Sequence, residues 1–286
     1  MVEHLVNRLG QTVAGHLLVE EAQRAACPAH HPMPLAIAIQ FWKGDQSRAV
    51  RLARFLADLE PHRRSDVLLV FARRFDVPMS RELVAAEMYC GRKFTVSHAQ
   101  SKRKETGHPD GCFGLWAGTA DEMYVHYLAG WPCHSVFFVE AEGVPMRWDW
   151  IDEIKRCHAE NLAAGKRVTG ARMEAGLNYS AHINGSMVMH LSCWADHTSL
   201  HECRRGQAWD VFHSQVLLQE AGHRRGVLNL YGAHKVTMSV FKTLGRDHAW
   251  LASMKDGSAW KCAQSLLKSD PKLARQLQKY LRRKAA

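Results

Sequence analysis

The chain has 286 residues, 47% of them hydrophobic and 23% charged, which is enough to bury a large core and excludes wholesale disorder. Thirty-eight lysines and arginines against 28 acids give a formal charge of +10, which favours a polyanionic partner, because neutralising phosphates releases counterions. No apolar run approaches the roughly 18 residues of a membrane helix, Glu3, Arg8, Glu20 and Glu21 interrupt any signal-peptide pattern, and eight scattered cysteines lack a CxxC. The expectation is a reduced, cytoplasmic protein without a transmembrane segment.

From Val2 to Ala26, apolar residues at Leu5, Val6, Leu9, Val13, Leu17 and Leu18 predict an amphipathic helix, which the three prolines of 28–34 end. Leu35–Trp42 (LAIAIQFW) then reads as a strand and Gln46–Leu59 as a helix with Asp45 as N-cap. Asp66–Phe71 and Lys93–Ser97 predict strands, Ser80–Cys90 and Gly114–Leu128 helices. A fourth strand lies in HSVFFVEAEGVPM (134–146), where Val136, Phe137, Phe138 and Val139 run into Glu140 and Glu142. After it come a helix (Ile151–Ala164), a strand (Arg167–Met173), the loop-and-strand block Asn178–Cys193 and a helix over Gly206–Ala221. The last element, Asp270–Lys284, has a first-turn Pro271 and a Leu273, Leu277, Leu281 stripe amid basic residues.

Strand–helix alternation with short connections predicts an α/β fold whose mostly parallel sheet is covered on both faces. With neither a repeat nor a linker, one domain with appended termini follows: a helical extension at 1–32, an α/β domain at 33–265 and a basic helix at 266–286. Ligands of such sheets bind beyond the carboxyl ends of the strands, where Glu140 and Glu142 fall. Two carboxylates at a strand end suit Mg²⁺ or Mn²⁺, which bind substrate phosphates as well. The alternative is a surface strand ending in polar residues.

A nucleotide-binding α/β half whose fourth strand runs into acid-x-acid resembles the GT-A glycosyltransferases. LAIAIQFWKGDQSRAV (35–50) is similar to the strand and loop that grip the nucleotide there. SKRKETGHPDGCFGLW (101–116) resembles the turn and helix that line the donor pocket. SAHINGSMVMH (180–190) is similar to the segment after the metal strand, and MKDGSAW (254–260) to the one that closes over the pyrophosphate. Together these cover about residues 33–262. Two positions depart from the family pattern: Glu140-Ala141-Glu142 stands for Asp-x-Asp, and Ala252 stands where a metal-binding histidine is common, leaving His248 as its substitute.

The resemblance implies transfer from a nucleoside-diphosphate sugar, with Gln40, Phe41, Trp42, Lys43, Arg103, Gly107 and Lys255 at the donor. It implies a divalent cation, Mn²⁺ or Mg²⁺, on Glu140, Glu142 and His248, and His182, Asn184 and Gly185 on the acceptor side. Asp210 is implied as the carboxylate that takes the acceptor proton, with Asp256 the further catalytic acid. The alternatives are ordinary: a helix-start acid at Asp210, a turn residue at Asp256, and an Asn-Gly turn at 184–185.

The basic clusters make a hydroxylated pyrimidine in DNA the expected acceptor, as for some phage enzymes of this kind, in which case the host cytoplasm is the location. A glycan, lipid or protein acceptor is the alternative, as is a non-catalytic nucleic-acid-binding protein on a degenerate transferase fold. Separately, Cys193, His197 and His201, with Cys203 nearby, offer zinc-type ligands at helical spacing.

Overall fold

Seven strands line up in the order β10-β6-β9-β4-β1-β2-β3 to make the central sheet of this computed structural model. They are β1 (Leu35–Phe41), β2 (Arg64–Arg73), β3 (Phe94–Gln100), β4 (Ser135–Glu140), β6 (Val168–Gly170), β9 (Val188–His190) and β10 (Ala221–His223). The structure describes residues 34–60, 62–146, 149–177, 179–223, 227–229, 251–253 and 258–269, with 237 and 239. The expected helices at the two termini, 2–26 and 270–284, lie outside the described residues, as do His248, Lys255 and Asp256.

β1 pairs in parallel with both β2 and β4, and β2 with β3. β9 runs antiparallel to β4 and β6, and β10 is parallel to β6. The sheet is thus mostly parallel, as expected. The chain builds outward from β1 through β2 to β3 and then returns to place β4 on the other side of β1. A crevice therefore opens between the carboxyl ends of β1 and β4, the place where open α/β sheets bind nucleotides.

Alternation along the strands sorts the core onto two faces. Leu35, Ile37, Ile39 and Phe41 of β1 point to one face with Leu69 and Phe71 of β2 and Phe137 and Val139 of β4. This face is covered by α1 (Gln46–Leu59), α2 (Arg81–Cys90), α4 (Trp150–Ala163) and α8 (Ser258–Ser269). The other face has small residues, Ala36, Ala38 and Ala72, which leave room for Trp116 of α3 (Asp110–Leu128). Trp116 is buried there against Phe138, Trp194 and Trp209. Those two tryptophans come from α5 (Leu191–Asp196) and α6 (Trp209–Phe212).

Two small sheets flank the large one. β5 (Gly143–Pro145) follows the acid pair and pairs antiparallel with β12 (Leu251–Ser253), which is parallel to β11 (Val227–Asn229). β7 (Arg172–Met173) pairs with β8 (His182–Ile183).

Three expected elements come out differently. The strand at 167–173 divides at Ala171, whose carbonyl accepts from the Asn184 N–H (2.9 Å), so β6 stays in the large sheet while β7 joins β8. The helix over 206–221 is shorter and divided into α6 and α7 (Ser214–Glu220), because Gly206 takes φ +78° and Ala221 already pairs with β6. The helix expected from Gly114 begins four residues earlier, at Asp110.

Candidate functional site

A cleft of about 1490 Å³ opens at the carboxyl end of the sheet. Small-molecule sites usually measure roughly 300–1,000 Å³, so this one has room for two ligands. One half is lined by Gln40, Phe41, Trp42, Arg74, Glu140 and Glu142, which end or follow β1, β2 and β4. Residues 106–109 and the first turn of α3 form a second wall, and Tyr179, His182, Asn184, Gly185, Trp209 and Asp210 the facing one.

Register explains the first half. Gln40 lies opposite Glu140 across the β1–β4 pair, so the nucleotide-grip segment and the acid pair meet at one strand edge. Gln40 is tied back to α3 by its side-chain amide, which donates to the Thr119 hydroxyl (3.4 Å). Trp42 is 48% exposed, with the Arg74 guanidinium 5.6 Å from the indole centroid. Gly44 packs so closely on that ring that a Cβ there would lie 2.4 Å from Cζ2. Arg74 is held in turn by two hydrogen bonds to Asp76, each 2.6 Å, which raise its affinity for its proton. The result is a fixed cation beside a half-exposed aromatic plane.

Glu140 is exposed at the end of β4, while Glu142 is largely covered and accepts from Arg48 Nη1 at 3.4 Å. Arg48 also bonds Asp45, 3.0 Å away, so the expected N-cap of α1 engages a side chain instead of the helix backbone. Hard carboxylate oxygens open to a cleft match the chemistry of Mg²⁺ or Mn²⁺, which need only one or two protein carboxylates when phosphates complete the sphere. Ser253, the residue before the 254–257 segment, pairs with Gly143, next to Glu142.

Across the cleft, Asp210 sits in the first turn of α6, anchored by its neighbour. Trp209 stacks on Trp116 at 4.0 Å and 11°, an aromatic pair contributing roughly 0.5–1.5 kcal/mol beyond its burial. Burial raises the Asp210 carboxyl above its ordinary range, and His182 and the Val211 N–H pull it back in part. Asp210 Oδ1 accepts from that N–H (3.0 Å), and Oδ2 faces His182 Nε2 at 3.7 Å. Asn184 both lines the cleft and makes a local turn, its Oδ1 accepting from the Ser186 N–H at 2.8 Å.

Of the residues expected from the sequence, Gln40, Phe41, Trp42, Gly107, Glu140, Glu142, His182, Asn184, Gly185 and Asp210 therefore line one cleft. Gly107 takes φ +77°, a conformation that suits glycine, in the loop that leads to α3. Arg103 does not line it: Nε bonds Asp121 (3.1 Å), Nη1 donates to the His201 carbonyl (2.9 Å), and the guanidinium lies over Phe113. Lys43 is exposed in the short 3₁₀ turn after β1 and is not among the lining residues either. Arg74 and Tyr179 are cleft residues that sequence reasoning missed; Arg73-Arg74 at the end of the second strand was the available signal.

The zinc-type set is rearranged. Cys193, His197 and Glu220 bring ligand atoms within 4.8 Å of one another, but Arg167 already occupies this cluster. Its guanidinium bonds Glu220 twice at 2.8 Å and approaches His197 Nε2 at 3.1 Å. Burial pushes the Cys193 thiol up to about 12. His201 is turned to the Trp194 carbonyl (2.9 Å) and Cys203 to the Arg204 and Gln207 carbonyls, both 3.7 Å away. The network is satisfied by arginine and needs no ion.

Neither a protein-family model nor a curated protein matches the sequence. Among solved structures, the chain is similar to S. aureus TarS (TM-score 0.47, 10% identity, 82% of this chain and 39% of that one). It is similar as well to the galactosyltransferase LgtC in complex with donor and acceptor sugar analogs (0.47, 10%, 84% and 96%). A third is mouse xyloside xylosyltransferase 1 (0.46, 10%, 79% and 98%). Two of the three are glycosyltransferases by name. The chain spans well under half of TarS and nearly all of the other two. Among the described residues, no helix is long and apolar enough to cross a membrane.

Proposed function

We propose that the chain is a GT-A-type glycosyltransferase that moves a sugar from a nucleoside diphosphate to an acceptor hydroxyl. The observation that carries this reading is the opposition, across one two-ligand cleft, of the strand-end acid pair Glu140/Glu142 and the partly buried carboxyl of Asp210. The donor's base lies against Trp42, and its diphosphate lies between Arg74 and the acid pair. Glu140 and Glu142, with His248, would hold a divalent cation, which would supply positive charge where the leaving diphosphate becomes more negative. Lys255 and Asp256 follow Ser253 closely in the chain; in this reading Lys255 adds positive charge and Asp256 a further catalytic acid.

As the acceptor oxygen bonds to the anomeric carbon, the carbon–oxygen bond to the diphosphate breaks and its electron pair leaves with the phosphate. The acceptor's proton passes to Asp210, whose raised carboxyl makes it a better base than a solvated aspartate. His182, Asn184 and Gly185 border the acceptor.

A hydroxylated pyrimidine in DNA is the acceptor we favour. Lys102 and Lys104 are exposed on the loop before α3, and Arg204 and Arg205 on the loop before α6. The two loops are tied together by Arg103 to the His201 carbonyl and by the Gly206 N–H to Asp110 (2.7 Å). Cations on joined loops beside the cleft suit a phosphate backbone, and the exposed rings of Tyr179 and Phe212 suit an extruded base. Incubation with a panel of nucleotide sugars, Mn²⁺ or Mg²⁺, and unmodified or hydroxymethylated DNA, followed by nucleoside mass measurement, tests both parts. A hexose or pentose mass gain is expected on the hydroxymethylated base. Transfer to a glycan, lipid or protein but never to DNA would overturn the acceptor. DNA retention without turnover of any sugar nucleotide would support a non-catalytic binding protein.

A further inference from the structure

His182 is held from several sides. Its Nδ1 lies 2.9 Å from the Ser180 carbonyl oxygen. A carbonyl only accepts, so Nδ1 carries the hydrogen and the neutral ring keeps its lone pair on Nε2. That lone pair faces Asp210 Oδ2 at 3.7 Å, beyond hydrogen-bond length. Tyr179 stands edge-on against the imidazole, with ring centroids 5.5 Å apart at 85°. Asp210 is fixed as well, through the Val211 N–H and the stack of Trp209 on Trp116. Gly185 lets the Trp209 ring seat closely, since a Cβ there would lie 3.1 Å from its Cζ2 and 3.9 Å from Asp210 Oδ2.

A carboxylate and the lone pair of a neutral imidazole repel each other, and one proton between them turns repulsion into a hydrogen bond. We propose that His182 and Asp210 act as a one-proton pair, with His182 the positioning residue that draws the acceptor's proton away from Asp210 once Asp210 has taken it. The inference rests on the reading of this cleft as a glycosyl-transfer site. The proton leaves the acceptor hydroxyl, binds Asp210 Oδ2 and is shared with His182 Nε2, while Nδ1–H stays on the Ser180 carbonyl. No other bond changes at the pair, and the proton returns to water after product leaves.

The groups that face Asp210 from neighbouring elements are His182 from β8, His108 from the loop before α3, and Cys203 from the loop before α6. Burial pushes the Cys203 thiol up to about 11, so it stays neutral through the working range. His108 lines the cleft and favours the ionised carboxyl. Asp210 works as a base only when ionised. His182 favours the ionised carboxyl as His108 does, so removing it leaves burial less opposed and moves proton uptake by Asp210 to higher pH.

The test compares the whole chain with its His182→Gln and His182→Asn variants. In both, kcat is expected to fall roughly 10- to 100-fold, less than loss of the base itself, with the donor KM unchanged. The acid limb of the kcat/KM profile is expected to move to higher pH. Independently of substrate, nitrogen NMR of ¹⁵N-histidine-labelled protein, with His182 assigned by its loss in the variants, is expected to show the Nδ1–H tautomer above the acid limb. An Nε2–H tautomer, or an unmoved acid limb, would overturn the proposal. A chain that turns over no sugar nucleotide would sink the glycosyl-transfer reading, and the tautomer would still decide the pair. Variants that fail to fold leave the decision to the wild-type tautomer, read by assignment through Ala181 and Ile183.

Discussion

At the amino end of β2, Arg64 bonds Glu60 (3.3 Å), Asp66 (2.9 Å) and Asp152 (2.7 Å), and Lys155 closes the set on Asp66. At the carboxyl end of the same sheet stand Glu140, Glu142, Arg74, His182 and Asp210, which line an open cleft. Both ends of the sheet carry a group of acids and bases. At the amino end each charge is answered by a neighbour, and the ensemble is a clamp between β2 and α4. At the cleft Arg74 is held by Asp76, Glu142 by Arg48 and Asp210 by the Val211 N–H, yet all three also line a space large enough for substrates, and Asp210 has its histidine beyond hydrogen-bond length. Charge composition alone is therefore no guide to a site; the orientation of each group toward protein or toward solvent is.

The sharpest way to break the comparison is to replace one charge at each end. Asp210→Asn should reduce kcat/KM by about 10²–10⁴-fold, the usual contribution of a general base. The same variant should be more stable than wild type at pH 7, by roughly 1 kcal/mol. The sign follows from burial: a carboxyl raised above its unfolded value contributes stability at low pH and loses it as pH rises through the raised value. Thermal unfolding beside a turnover assay checks both. Unchanged turnover would remove Asp210 from the chemistry.

Lys155→Met makes the opposite case. Burial alone would raise the Asp66 carboxyl, but Arg64 and Lys155 overcome it and hold the group well below the usual carboxylate range. Removing Lys155, itself buried, leaves a covered carboxylate short of a partner, which costs about 3–5 kcal/mol. Denaturant unfolding should show that loss, while nucleotide binding at low temperature should be unaffected.

Glu60 gives this amino-end network a pH signature. Burial pushes its carboxyl up to about 7, with Arg64 pulling the other way. The proton-bound form is thus favoured by folding; its contribution is complete below about pH 4.5 and is lost as pH rises through 7. The swing is on the order of 3 kcal/mol. Glu60→Gln should flatten stability between pH 5 and pH 8, measured by urea midpoints, and should leave the acid limb of turnover where it is.

How much of this the sequence disclosed depends on the range of the interactions. β1, β2 and β4 are legible because each is a continuous apolar run buried on both faces, and alternation of large and small residues along β1 even sorts them by face. The acid pair is legible because it terminates such a run. Arg74 and Tyr179 are not, since nothing local distinguishes a cleft arginine from any basic pair, and their roles appear only when three distant segments meet. Arg103 shows the converse error: its motif position is right for a donor cation, but Asp121, 18 residues on, takes the guanidinium. The helix expected over 206–221 failed for a local reason, the left-handed Gly206, and a distant one, the pairing of Ala221 with β6.

Trp42 sharpens the comparison at the smallest scale. A ring in a core loses its exposure to packing, yet this one remains half exposed while Gly44 and Arg74 fix its plane. Stacking of a base on such a ring is worth roughly 1–3 kcal/mol. Trp42→Ala should therefore weaken binding of a nucleoside diphosphate by about ten- to a hundredfold, with little effect on the unfolding midpoint, because no core contact is lost. Trp42→Phe should recover most of the affinity. Calorimetric titration of the two variants separates stacking from charge: if alanine and phenylalanine bind equally, Arg74 and the acid pair hold the diphosphate and the indole contributes nothing. A midpoint that falls as far as the affinity would instead make Trp42 a support for the β1 loop.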